Sequence, residues 1–241
     1  MKIEICANSF TSAKAAQDAG ADRIELCTEL SVGGLTPSYG LIEKVMSELC
    51  IPVHVLIRPR SGNFTYSEDE IEVMLRDISF CGKMGCAGVV CGALTSENEV
   101  DEVTVKRFLD ASAEMELTFH RAFDWCRDPF ESLQILQKLG VNRILSSGQQ
   151  PKAIEGIVLL KQLLNLSEAT IAIMPGSGIN LQNILEFKEA GFTSVHFSAT
   201  LKKQLLTNPP KVSMHSSAFF EEGVLMESNA ELIREIIKKV R

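Results

Sequence analysis

Short runs of apolar, mostly β-branched residues recur along the chain, each followed by a loop and then a longer stretch with helical spacing. The runs fall at 3–7, 23–27, 53–57, 88–91, 117–120, 143–145, 170–174 and 194–197. Few polar residues alternate within them, which is the pattern of strands covered on both faces. Between them the helical stretches cover 12–19, 37–49, 68–84, 101–114, 128–139, 152–164 and 181–190, and a last amphipathic one covers 229–240. Eight strand–helix units predict an α/β fold in which a parallel sheet closes into a (β/α)8 TIM barrel.

The stops and starts agree with this reading. Gly20, Gly140 and Gly191 each stand just before a strand, where a left-handed cap ends a helix and begins a short return. Ser67 followed by Glu70 has the spacing of a capping box. Thr36 before Pro37 reads as a cap with proline in the first turn. Beyond Phe197 the pattern lapses. Residues 199–228, with Pro209-Pro210 and a serine-rich turn, read as an irregular β8–α8 excursion within a single domain spanning 1–241.

Length and composition narrow the classes. A chain of 241 residues suits one barrel of this kind, typically ~250 residues. Its formal net charge is −7, with acidic residues spread throughout, so no basic nucleic-acid footprint exists. No apolar run reaches the ~20 residues of a membrane-spanning helix, and the N-terminus enters a strand without a secretory signal. The seven cysteines are odd in number and lack a C-x-x-C, which fits reduced thiols in a cytoplasmic protein. Neither nucleic acid nor membrane is an expected partner.

In parallel barrels the reacting groups lie at the C-terminal ends of the strands. Those ends carry Cys6; Glu25 and Cys27; Arg58 and Arg60; His120, Arg121 and Asp124; Ser147 and Gly148; Gly176, Ser177 and Gly178; and His196. The strand starts read as plainer. Glu4 and Glu25 sit inside apolar strands, where a carboxylate is costly unless paired, and Arg23, Arg58, Arg121 and Arg143 are the candidate partners. One reading is an ion-pair lattice that fills the barrel. The other is an acid–base site in which Glu25, His120 and Asp124 move protons, while Arg58, Arg60 and Arg121 clamp a small anionic ligand, with His196 as a further proton carrier. The Gly176-Ser177-Gly178 turn, and Ser147-Gly148 beside it, read either as tight turns or as backbone anchors for a phosphate ahead of a helix.

The segments Ile24-Glu25-Leu26-Cys27, Gly33-Gly34-Leu35-Thr36-Pro37-Ser38, Ile57-Arg58-Pro59-Arg60 and Thr118-Phe119-His120-Arg121-Ala122-Phe123-Asp124 resemble the CutC family. So do Arg143-Ile144-Leu145-Ser146-Ser147-Gly148 and Met174-Pro175-Gly176-Ser177-Gly178-Ile179, and the likeness runs in order from Lys2 to about Ser198. Ser61-Gly62-Asn63 departs from it, standing where the family usually has Gly-Gly-Asp. The resemblance implies copper homeostasis, with Cu(I) bound by the cysteines that close the first two strands, Cys6 and Cys27. Thiolates suit that soft ion, and a linear site would need sulfurs roughly 4.6 Å apart, twice a ~2.3 Å metal–sulfur bond. The plainer reading of each cysteine is a small buried hydrophobe. The resemblance also implies a homo-oligomer, a dimer by preference, and exposed apolar residues on the helices and in 209–225 agree. Two functions therefore stand open: a cytoplasmic copper-binding protein, or a barrel enzyme acting on a small anionic or phosphorylated metabolite.

Overall fold

The computed structural model describes residues 1–167, 171–208, 212 and 224–241. Eight parallel strands run β1 (Lys2–Ala7), β2 (Arg23–Leu26), β3 (Val53–Leu56), β4 (Gly88–Cys91), β5 (Glu116–Phe119), β6 (Arg143–Ser146), β7 (Ala172–Pro175) and β8 (Ser194–Phe197). They neighbour one another in the order β7-β6-β5-β4-β3-β2-β1-β8. A parallel bridge between Gly176 and His196 closes the ring from β7 to β8. The expected barrel is thus the observed one. Thr170, where the sequence begins the seventh strand, lies outside the described residues.

Period-two alternation sorts each strand into two faces. Ile3, Ile5, Ile24, Leu26, Val55, Val89, Phe119, Ile144 and Val195 point outward into the main hydrophobic core. Against them pack α1 (Phe10–Asp18), α2 (Tyr39–Glu48), α3 (Glu68–Lys83), α4 (Glu102–Ser112), α5 (Pro129–Leu139), α6 (Ile157–Leu166), α7 (Ile184–Glu189) and α8 (Ala230–Val240). Fully burying one such side chain contributes about 1.5–3 kcal/mol, so this layer supplies most of the driving force for closure. The inner face is different, because polar residues occupy much of it.

The helix boundaries follow their caps. Ser67 and Glu70 form the predicted capping box at the start of α3. Gly20, Gly140 and Gly191 all take the left-handed conformation expected of them. The second helix departs from expectation: Ser38 caps it by accepting from the Leu41 amide, while the Thr36 hydroxyl accepts the Arg58 amide at 2.8 Å. Thr36 therefore ties the loop after β2 to the end of β3 rather than opening a helix.

The excursion after β8 is more regular than its composition predicts. Thr200–Gln204 (β9) and Val224–Ser228 (β10) pair as an antiparallel ribbon. The ribbon is fastened to α1 through the Ser228 amide on Ser12 Oγ at 3.0 Å, and to the β1–α1 loop through the Asn8 side chain on the Met226 carbonyl at 3.0 Å. Proline and serine in the middle of the segment masked two strands at its ends. Residues 209–211 and 213–223, including Pro209-Pro210, lie outside the described residues.

Candidate functional site

Register, more than loop conformation, assembles the interior. Glu4 lies level with Arg23 on one side and His196 on the other, and Cys6 lies level with Glu25. Glu4 accordingly accepts from Arg23 and, at 2.8 Å, pairs with His196 Nδ1. Below this rung Arg23 reaches Glu116 at 3.7 Å, His54 reaches it at 3.6 Å, and Arg143 binds it at 2.8 Å. Arg143 also donates to Thr118 Oγ1 at 2.8 Å. The strand starts are therefore not plain. A lattice of charge fills the lower barrel, and a cavity of about 370 Å³ lined by Arg23, His54 and Glu116 opens there.

Electrostatics differ sharply along this column. Burial would raise the Glu4 pKa, but the His196 hydrogen bond and the Arg23 charge outweigh it and hold the carboxyl far below its ordinary range. Burial pushes Glu25 up to about 7 against the opposing pull of His196. For His196 burial disfavours the cation, yet the Glu25 charge and hydrogen bonds to Cys6 and Glu4 hold its pKa well above the usual imidazole value. Burial lowers His54 to about 4. Two carboxylates and one imidazolium thus share the barrel axis with an uneven distribution of protons.

Above this rung lie the thiols. Cys6 Sγ is 3.5 Å from Cys27 Sγ and 3.8 Å from Glu25 Oε1. The contact with Cys27, burial, and the Glu25 charge all raise the Cys6 pKa, so the free thiol is protonated. The donor atoms of Cys6, Glu25 and Cys27 all lie within 4.8 Å of one another, and so do those of Glu4, Glu25 and His196. The sulfurs stand about 1 Å closer than a linear two-thiolate site requires, a spacing that favours a bent pair with a third donor. Glu25 Oε1 supplies an oxygen beside Cys6, and Glu25 Oε2 is buried without a hydrogen-bond partner. Soft sulfur beside a carboxylate can take a soft cation. All seven cysteines are free thiols.

The loop 28–36 roofs this pair. Gly34 has φ +89, and a Cβ there would stand 2.6 Å from Leu56 Cδ2, so only glycine lets the loop lie down over Leu56 and Cys27. The loop carbonyls of Val32 and Gly34 accept from Arg58 Nη1 at 2.7 and 3.0 Å. Above the thiols a cavity of about 420 Å³ opens at the strand ends, and Cys6, Glu25, Arg58, His120, Arg121, Ser177, Gly178 and His196 line it. Cys27 lies behind Cys6, fully buried. Groups scattered over the sequence do share one mouth.

Several expected members hold other posts. Arg60 turns away from the cavity to Glu70 at the start of α3 and lies over the Tyr66 ring, because the chain leaves the strand at Leu56 and the fourth residue on is loop. Asp124, expected among the proton-moving groups, is engaged in the loop after β6. Its oxygens accept from Ser146 Oγ at 2.6 Å, from the Ser147 and Gln149 amides at 3.0–3.1 Å, and from Arg121 at 2.8 Å. This saturated carboxylate fixes the loop after β6. Ser147 belongs to the same knot, taking Arg121 Nη2 at 2.8 Å. Gly148 is a packing glycine, since a Cβ there would meet the Gly156 carbonyl oxygen at 2.3 Å. Gly176 serves closure through its bridge to His196. The Gly176–Gly178 turn does not open a helix, because α7 begins only at Ile184. The turn is therefore separated from the helix it was expected to open, while Ser177 and Gly178 still line the cavity.

The sequence reading missed Phe64 and Trp125, which wall the cavity with ring centroids 5.0 Å apart. Trp125 directly follows the Phe123-Asp124 pair, so its neighbours gave the signal. His54 and Glu116 were also missed, although His54 shares the inward alternation of Leu56 and Arg58.

The CutC family model matches residues 1–201. A family protein CutC of Pasteurella multocida is 47% identical over 199 residues, 82% of each chain. One from Glaesserella parasuis is 40% identical over 242 residues, covering 100% of this chain and 99% of its own. A CutC crystal structure from Streptococcus agalactiae, assigned by its name to copper homeostasis, superposes with TM-score 0.78 at 35% identity, over 82% of this chain and 98% of the other.

Proposed function

The chain belongs to the CutC family, and from that premise we propose that it binds Cu(I) through Cys6 and Cys27 as part of copper homeostasis. The observation that carries this reading is the 3.5 Å approach of two buried thiols, with the Glu25 carboxyl 3.8 Å from one of them. A metal entering between the sulfurs displaces their protons, and two thiolates on a monovalent ion leave one net negative charge in the site. The cation held at His196 lies within 4.0 Å of Glu25 and balances that charge. Soft ligands in a hydrophobic setting of Leu56, Val90 and Leu30 exclude hard, hydrated cations.

Anaerobic titration of Cu(I) against a competing chelator tests the reading. The expected result is one tight site per chain in the native protein, weakened more than roughly a hundredfold in the Cys6→Ser, Cys27→Ser double variant. Equal affinity in both proteins would remove the thiol pair from the account.

A further inference from the structure

Cys81 and Cys86 stand away from the mouth cavity, where the chain leaves α3 and turns towards β4. The backbone between them has a defined shape. The Cys86 amide donates to the Cys81 carbonyl at 3.0 Å, and inside that bond the Gly85 amide donates to the Gly82 carbonyl at 3.1 Å. Gly85 has φ +77, the left-handed residue that this pair of nested bonds requires. Such a Schellman ending brings the side chains of its first and last residues together, commonly as an apolar contact. Here both residues are cysteine.

The separation suits a covalent bridge. A disulfide needs Cα atoms roughly 4.4–6.8 Å apart. Covalent bond lengths and a 3.0 Å amide–carbonyl contact leave the Cα atoms of Cys81 and Cys86 no farther apart than about that upper limit.

Both side chains belong to the main core, Cys81 with no exposure and Cys86 with 5%. The hydrogen bond between the thiols raises the Cys81 pKa, and it lowers that of Cys86 against the effect of burial. Cys81 therefore keeps its proton and donates it to the Cys86 sulfur, which is the readier thiolate of the two. The neighbouring thiols have no such arrangement. Cys91 is fully buried, with its pKa raised by that burial, and Cys126 donates to the Ala122 carbonyl at 3.8 Å.

From this we propose that Cys81 and Cys86 are an oxidisable dithiol, closed by peroxide to a disulfide that staples the end of α3 ahead of β4. The Cys86 thiolate attacks one peroxide oxygen and the O–O bond breaks. The departing hydroxide takes a proton to become water, and Cys86 is left as a sulfenic acid. The Cys81 sulfur then loses its proton and attacks the Cys86 sulfur. The S–S bond forms, the S–O bond breaks, and the second hydroxide leaves as water with that proton. Two thiols together give up two electrons, and one peroxide is reduced to two waters. The site shares no residue with Cys6 and Cys27 and does not depend on copper binding.

Peptide mapping tests this on the whole, reduced, metal-free protein. After hydrogen peroxide, remaining thiols are blocked with iodoacetamide in denaturant, and the chain is digested with trypsin without reduction. Trypsin cuts after Lys83, between the two cysteines, so the disulfide joins peptides 77–83 and 84–106. The expected product is that cross-link, reversed by dithiothreitol and placed by fragmentation on Cys86 rather than Cys91. Cys81→Ser should leave Cys86 as a sulfenic acid that dimedone captures, and Cys86→Ser should slow oxidation of Cys81 at least about tenfold. Thermal unfolding establishes that each variant is folded, and the map of the native protein needs neither variant. The proposal is overturned if both thiols stay free at a peroxide dose that oxidises the exposed Cys50. It is overturned equally if Cys86 is oxidised while Cys81 stays free, or if the cross-link runs from either residue to a different cysteine.

Discussion

Glu4 occupies the most constrained position in the barrel. Its two oxygens face Arg23 and His196 from flanking strands, and it is 1% exposed. Replacing it by glutamine keeps the shape but leaves a buried guanidinium and imidazolium without their shared charge. Removing one partner of a buried pair costs about 3–5 kcal/mol, and Glu4→Gln is expected to fall in that range by urea unfolding. A loss under about 1 kcal/mol would mean that the lattice is solvated, contrary to its burial. At this scale the sequence was informative about which residues are unusual and less so about their employment. Glu4 and Glu25 stood out as carboxylates in apolar strands, and both proved interior. Arg60 and Asp124 looked equally eligible, but a polar group at a strand end can satisfy itself locally. Asp124 does so through donors on four residues, Arg121, Ser146, Ser147 and Gln149, and Arg60 does so through Glu70. Spacing along a chain carries no record of which bond wins that competition.

At the level of elements the strands were legible almost to the residue, because an apolar run covered on both faces admits few other readings. Helix starts were legible where a capping box fixed them, as at Ser67, and not at Pro37, where Ser38 took the cap. The inward faces were only half legible. Period-two alternation puts Glu25 on the face of Cys27 and Arg58 on that of Leu56, yet His54 and Glu116 passed as ordinary strand residues. What alternation cannot supply is the stagger between strands. Stagger sets Glu4 level with Arg23 and His196, and it brings Cys6 beside Glu25 with Cys27 diagonally above. The β9–β10 ribbon was illegible for a related reason: its pairing joins residues 20–28 positions apart across a stretch of turn-forming composition.

For the whole molecule, the buried ionisable groups predict how stability depends on pH. His54 and His120 have folded pKa values lowered to about 4 and about 3, against 6.5 for a free imidazole. The unfolded chain therefore binds protons below 6.5 that the native chain refuses, and stability falls on acidification. Glu25 acts oppositely: raised to about 7 from 4.5, it contributes stability below 4.5 that is lost as pH rises through 7. Two imidazoles against one carboxyl leave a net loss of stability as pH falls from 6.5 to 4.5. Below 4.5 the depressed Glu4 adds to that loss. Above 6.5 the raised His196 yields its own loss, because the unfolded imidazole gives up a proton that the native one keeps. Urea midpoints measured from pH 4.5 to 9 should peak near 6.5. A profile that is flat, or that rises steadily into alkali, would contradict the assigned protonation of the axis.

The central claim is that the ends of β1 and β2 present their two sulfurs to one metal ion. X-ray absorption at the copper edge of the Cu(I)-loaded protein tests it most directly. The account predicts two sulfur scatterers at about 2.3 Å, absent from Cys6→Ser, Cys27→Ser. A first shell of nitrogen and oxygen alone, or a spectrum unchanged in that variant, would contradict it.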